Sequence, residues 1–221
     1  MKKKFLLPIV LLVFSVQCSK DKDNDDSPVE LMKGLLACFK FDDNMADSTG
    51  NIENVGFSSV ELDNVPDRHG NAGKAKIFSG GYWIAQITPN WSANPFTLSF
   101  WIKRADNVSN KYFFTANSGA IAFAQNGTKI GFVVSTPTIS TAFAETPGEW
   151  THIAGTYDGE DVCTYVNGKL VTKLSNPGNP DLIAGIRLGT INGVSWTGSL
   201  DEMRYYGRVL NAKEIAVLAK Q

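Results

Sequence analysis

The chain has little cysteine, little histidine and almost no excess of charge. Of 221 residues, 3 are Cys and 2 are His, and the formal net charge is −1. No basic stripe stands out, which leaves nucleic acid without support as a partner. Beyond the N-terminus no apolar run is long enough to span a bilayer. Besides Cys18, only Cys38 and Cys163 remain, and both fall inside predicted strands. An oxidising compartment would allow a bridge between them, but free cysteine is also among the most buried residue types, so both readings stay open.

What is present begins with the N-terminus. Lys2, Lys3 and Lys4 precede the apolar run Phe5–Phe14, a basic region and a short hydrophobic region that read as a secretory signal rather than a membrane span. The run closes on Ser15-Val16-Gln17-Cys18, similar to the end of bacterial lipoprotein signals, in which the mature chain starts at a diacylated Cys. Gln17 departs from the small residue usual before that Cys. The resemblance implies residues 1–17 as leader, lipidation of Cys18, and membrane contact only through the anchor. Residues 18–33 open with the highly charged Ser19–Pro28, which has no large apolar side chain to offset its ordering entropy. They are expected to be a flexible acidic tether, and such a tether beside a lipidated Cys resembles those of lipoproteins displayed on the outer membrane or cell surface.

From residue 34 the pattern is that of strands. Trp150, His152, Ala154 and Thr156 alternate with Thr151, Ile153, Gly155 and Tyr157 up to the turn Asp158-Gly159. Val162–Val166 follows and stops at Asn167-Gly168, whose backbones tolerate the positive φ of tight hairpin turns. Gly34–Phe41, Gly73–Gly81, Tyr82–Ile87, Phe96–Arg104, Tyr112–Phe114, Ala120–Ala124, Ile130–Val134 and Ile186–Gly189 also read as extended, and Asn126-Gly127 supplies another hairpin turn. One helix is expected after Asn211, where Asn211 and Glu214 form a capping-box pattern ahead of the stripe Ile215, Leu218. By itself this spacing supports an all-β sandwich or barrel.

Four blocks narrow that choice. Trp150–Val171 resembles the "W-x-H-v-A-x-T-Y-D-G … l-Y-V-N-G-x-l-V" core of laminin-G-like, concanavalin A-like domains of the LamG_3 type. Phe41–Asn51 is similar to their opening, Phe96–Lys103 to their "F-T-i-S-x-W-v-k", and Trp196–Leu210 to their closing "G-x-i-D-E-v-R-i-Y" block. The resemblance spans about Leu35 to Leu218 in the family's order. It implies a two-sheet antiparallel jelly-roll sandwich over residues 34–221 with one short C-terminal helix.

The chemistry implied is binding. Glycosidases of this fold carry Glu-x-Asp-x-x-Glu, which places acid and nucleophile around one bond, and this chain has no such triplet. Asp201 and Glu202 are the nearest carboxylate pair, but neighbours on a strand point to opposite faces. His152 is expected to be a structural strand residue, His69 a loop residue, and Cys163 has no nearby base to activate it. A glycan or polysaccharide is therefore the expected ligand, with an envelope protein partner as the rival. Sugars stack their C–H faces on aromatic rings. Trp101, Trp150 and Trp196 fall on core positions of the family blocks, which leaves Trp83 and Trp91 as candidate platforms. The resemblance also implies one structural calcium ion, held by Asp42 and Asp201 with backbone carbonyls around residues 70–73.

Overall fold

The structure, a computed structural model, describes residues 28–52, 56–58, 61–91, 94–116, 119–135, 139–143, 146–175, 178–180 and 183–221. The expected leader, Cys18 and the charged stretch up to residue 27 lie outside the described residues. In chain order the strands are β1 (Leu35–Phe39), β2 (Gly56–Ser58), β3 (Asn64–Val65), β4 (Ala75–Ser79), β5 (Trp83–Trp91), β6 (Phe96–Arg104), β7 (Lys111–Ala116), β8 (Ile121–Asn126) and β9 (Lys129–Val134). They continue with β10 (Ile139–Phe143), β11 (Trp150–Tyr157), β12 (Asp161–Val166), β13 (Lys169–Ser175), β14 (Ile183–Leu188), β15 (Thr190–Ile191), β16 (Val194–Ser195) and β17 (Thr197–Tyr206), and the helix α1 (Ala212–Leu218) closes the chain. The first sheet runs β13-β12-β11-β6-β17-β4-β3, with β1 also paired to β17, and the second runs β10-β9-β8-β7-β14-β5-β2. All pairings are antiparallel, as the two-sheet sandwich requires.

The hairpins follow from local chemistry. Asn167 and Gly168 both hold positive φ (48° and 79°), the backbone that a two-residue turn needs to match strand twist. Between the sheets the core is largely aromatic. Phe100 meets Phe113, Phe114 and Phe123 edge-on at 5.4–5.8 Å, and Phe123 stacks on Phe132 at 4.4 Å. Phe132 reaches across the sandwich to β11 at Gly155, where an added Cβ would lie 2.4 Å from its ring. Trp196 is fully buried and its indole N–H donates to Gln125 Oε1 at 3.0 Å, so the polar edge of this core ring is satisfied.

A second apolar cluster, which includes Tyr165, Tyr206, Ile215 and Leu218, packs α1 on the outer face of the first sheet. The expected capping box is present, with Asn211 accepting from the Glu214 N–H and Glu214 accepting from the Asn211 N–H. Arg208 grips the same carboxylate at 2.7 and 2.8 Å. Arg208 also donates to the carbonyls of Glu30 and Lys33, and Leu31 packs on the cluster, so residues 30–33 lie against this end of the sandwich.

Candidate functional site

Helix α1 packs on the outer face of the first sheet, and among the described residues no helix lies on the outer face of the second. Register defines one row across that face. Arg187 on β14 lies opposite Ile84 on β5 and Thr115 on β7, and Thr115 lies opposite Ala122 on β8, which faces Val133 on β9. The neighbouring residues Trp83, Ala85, Ile186 and Leu188 point the other way, into the core. A pocket of about 320 Å³ opens over this row. Ile84 and Ile191 supply its apolar wall, and Gln86, Thr115, Arg187 and Asn192 its polar groups. The turn at Asn192, itself at φ 48°, overhangs the sheet and closes one side. Among the described lining residues Arg187 is the one charged group, and no aromatic ring lines the pocket.

The outer face of the first sheet carries a buried polar group of a different kind. Ser99 Oγ and His152 Nε2 are 2.8 Å apart, and Trp101 meets the imidazole edge-on at 5.5 Å. Arg68 lies over the Trp101 ring at 4.9 Å, donates to Asp201 Oδ2 at 2.6 Å and to the Gln221 carbonyl at 2.5 Å. Burial, helped by the positive charges of Arg204 and Arg68, pushes the His152 imidazole down to about 3, so it is neutral at physiological pH. Burial raises the Asp201 carboxyl to about 7 against the pull of Arg68, with the Glu202 carboxylate adding to the rise. Glu202 sits at a bulge with φ 50° and pairs with Arg204 at 2.7 Å. Ser99 and His152 do not make a nucleophilic triad, because Nδ1, where an orienting carboxylate would bond, has no partner among the described residues.

The profile of the concanavalin A-like lectin/glucanase superfamily, in its Laminin_G_3 form, matches residues 79–216. The chain belongs to this family. No curated protein matches the chain in sequence. Among solved structures this laminin-G-like domain is similar to domain 4 of AbnA, a GH43 extracellular arabinanase from Geobacillus stearothermophilus solved in complex with arabinotriose. The identity is 21% and the TM-score 0.68, over 84% of this chain and 98% of that one. It is also similar to the binding domain of botulinum neurotoxin DC, solved in complex with SialylT (14% identity, TM-score 0.68, 85% of this chain) and with rat synaptotagmin II (14%, 0.68, 85%). The chain spans 51% of those toxin domains. At these identities the likeness is one of fold.

Within this laminin-G-like domain the tryptophans are distributed differently from the expectation. Trp83 and Trp91, the expected ligand platforms, are 5% and 9% exposed and belong to the core. Trp83 meets Phe39 edge-on at 5.4 Å, and Trp91 stacks on Tyr205 at 4.8 Å with 11° between planes. Trp101 and Trp150, expected in the core, lie on the outer face of the first sheet, under Arg68 and Lys103 respectively. Only Trp196 is where it was expected. Cys38 and Cys163 are both buried free thiols.

Asp42 and Asp201, the expected calcium ligands, each have a protein cation nearby. Asp201 is ion-paired with Arg68, whereas Asp42 is half-exposed with Lys74 at 3.9 Å. Each carboxylate thus already faces a protein cation. Nearby, the buried Lys76 ammonium takes oxygens from Asn64, Leu62 and Asp43. Among the described residues no group of three or more His, Cys, Asp or Glu side chains could hold a metal ion.

The pocket residues Gln86, Thr115, Arg187 and Asn192 do not stand out in the sequence. The one signal is Arg187 itself, a charged residue between Ile186 and Leu188 in a strand, which marks an outward position.

Proposed function

We propose that this domain is a non-catalytic binding module for glycans, that it binds them at the pocket on the outer face of the second sheet, and that it is held at the cell surface by lipidated Cys18. One observation carries the reading. The pocket offers amide, hydroxyl and guanidinium groups of Gln86, Thr115, Asn192 and Arg187 beside the apolar Ile84 and Ile191. Hydroxyl-rich ligands with apolar C–H faces need that mixture. Its described lining includes no carboxylate, so it lacks the acid and nucleophile that glycoside cleavage requires. Asp201 and Glu202, on the other sheet, are each engaged by an arginine.

Support by analogy comes from domain 4 of the arabinanase, which spans almost the same length of chain and was solved with arabinotriose. Fold alone does not carry function from one protein to another. A glycan array on the purified protein tests the proposal. Binding that weakens in Gln86→Ala and in Asn192→Gly, which keeps the positive φ of that turn, with melting temperatures close to the parent's, supports it. An array without a hit, or binding indifferent to both substitutions, rules the pocket out as the glycan site.

The second reading, a protein partner in a surface assembly, is supported by the neurotoxin binding domain solved with rat synaptotagmin II. Affinity purification from envelope fractions that recovers one defined protein, through a contact insensitive to Gln86→Ala, would favour it.

A further inference from the structure

Arg187 is the feature of the pocket that a neutral sugar leaves unexplained. It projects from β14, an interior strand, and is flanked in register by Ile84 and Thr115. It is only partly exposed, and no described side chain forms an ion pair with it. The other charged arginines of the fold are used differently. Arg68 is paired with Asp201, Arg204 with Glu202 and Arg208 with Glu214, while Arg104 donates to Asn107 and to the Gly127 carbonyl. Arg187 differs from these in lining a pocket without an ion-pair partner among the described residues, and the described walls of that pocket hold no countercharge.

A guanidinium that is partly withdrawn from water gains most from an anion that returns the lost hydrogen bonds. Its planar fork of N–H donors matches the two oxygens of a carboxylate bidentately. The pocket volume of about 320 Å³ suits one sugar ring with its substituent.

We infer that the pocket is selective for acidic glycans, with the carboxylate of a uronic or sialic acid residue received by Arg187. This rests on the glycan-binding reading above and names the ligand class of the same site. Gln86, Thr115 and Asn192 are placed to bond ring hydroxyls around the charged contact, and Ile84 and Ile191 to meet the C–H face. A sulfate ester shares the anionic chemistry. Its three oxygens and tetrahedral shape call for more donors than the single cation of this pocket offers, so carboxylate is the preferred form.

The test compares matched ligands on the purified protein by isothermal titration calorimetry. Oligogalacturonides and sialyllactose are measured against their carboxyl-reduced neutral counterparts and against a sulfated galactan oligosaccharide. The carboxylate form should bind on the order of tenfold to a hundredfold more tightly than its reduced counterpart, the range of a charge-assisted hydrogen-bonded pair. Arg187→Gln should erase that ratio and Arg187→Lys should restore part of it, with melting curves showing that both variants fold. The comparison of ligands on the unaltered protein needs no variant, so it stands even if a substitution fails to fold. Equal binding of acidic and reduced forms overturns the inference and leaves the glycan reading intact. Tighter binding of the sulfated ligand overturns the carboxylate assignment. If none of these ligands binds while neutral glycans do, the inference also fails, and no glycan binding of any kind sinks the broader reading with it.

Discussion

Replacing Trp91 by alanine separates a core role from a ligand platform, because the two roles differ in which quantity moves. In the structure the Trp91 indole is stacked on Tyr205, which in turn stacks on Phe96 at 6.0 Å, so the ring is one layer of an aromatic column between the sheets. Removing a buried tryptophan costs about 3–5 kcal/mol through lost transfer energy and the cavity left behind. That figure includes an aromatic pair worth roughly 0.5–1.5 kcal/mol beyond area alone. For a domain of this size each 1 kcal/mol lowers the melting temperature by about 2–4 °C. Trp91→Ala should therefore melt on the order of 6–20 °C below the parent in a circular-dichroism scan, with the urea midpoint falling in step. Trp83→Ala should fall in the same range, since its ring meets Phe39 edge-on and sits opposite Leu188 on β14. Glycan affinity, measured well below either midpoint, should stay close to the parent value. If either variant keeps the parent's melting temperature within about 2 °C and loses binding instead, that ring is a ligand platform and its core assignment is wrong.

Other outcomes follow from the electrostatics and from the N-terminus. His152 is held near 3, below its unfolded value of 6.5, so its contribution to stability is complete above about pH 6.5 and is lost as pH falls toward 3. Asp201 is raised from 3.8 to about 7, so its contribution is complete below about pH 3.8 and is lost as pH rises toward 7. Each slope is at most about 1.4 kcal/mol per pH unit and the two have opposite signs. Urea-derived stability should thus be nearly flat between about pH 4 and 6.5 as far as these groups govern it. In His152→Gln the Asp201 slope should emerge, with stability declining as pH rises across that window, and a variant curve parallel to the parent's would refute the pairing of effects. The melting temperature should be the same in millimolar calcium chloride and in excess EDTA. A calcium-dependent rise that disappears in Asp201→Asn would establish the ion, since a ligand of the native state stabilises by RT ln(1 + [L]/Kd). Mass spectrometry of membrane fractions should find diacylated Cys18 as the mature N-terminus, and Cys18→Ala should be recovered in a soluble fraction. An unmodified, soluble parent protein would end the anchoring proposal. Two acyl chains hold where one binds only weakly, so the parent should resist a high-salt wash.

Much of the architecture is legible in the amino-acid sequence because it is written in short-range patterns. Asn126-Gly127, Asp158-Gly159 and Asn167-Gly168 mark hairpin turns through the backbone freedom of adjacent residues, and the strands on either side form where the alternation places them. Asn211 and Glu214 are three residues apart, so their reciprocal capping bonds can be read directly. Alternation, however, reports that two faces exist and not which of them is inside, since shifting the phase by one residue exchanges the two sets. Each of the two sheets has an apolar inner face and an outer face that also carries large side chains. Trp101 and Trp150 can therefore lie outward beside Arg68 and Lys103 while Trp83 and Trp91 turn inward, and local sequence carries no term that distinguishes these cases. The candidate site is a tertiary product for the same reason. Gln86, Thr115, Arg187 and Asn192 come from four segments that only the strand order β7-β14-β5 and the turn beside it bring together. The pairing of Arg68 with Asp201, 133 residues apart, is likewise decided by sheet topology, and it gives to a protein cation the carboxylate that the family resemblance had reserved for calcium.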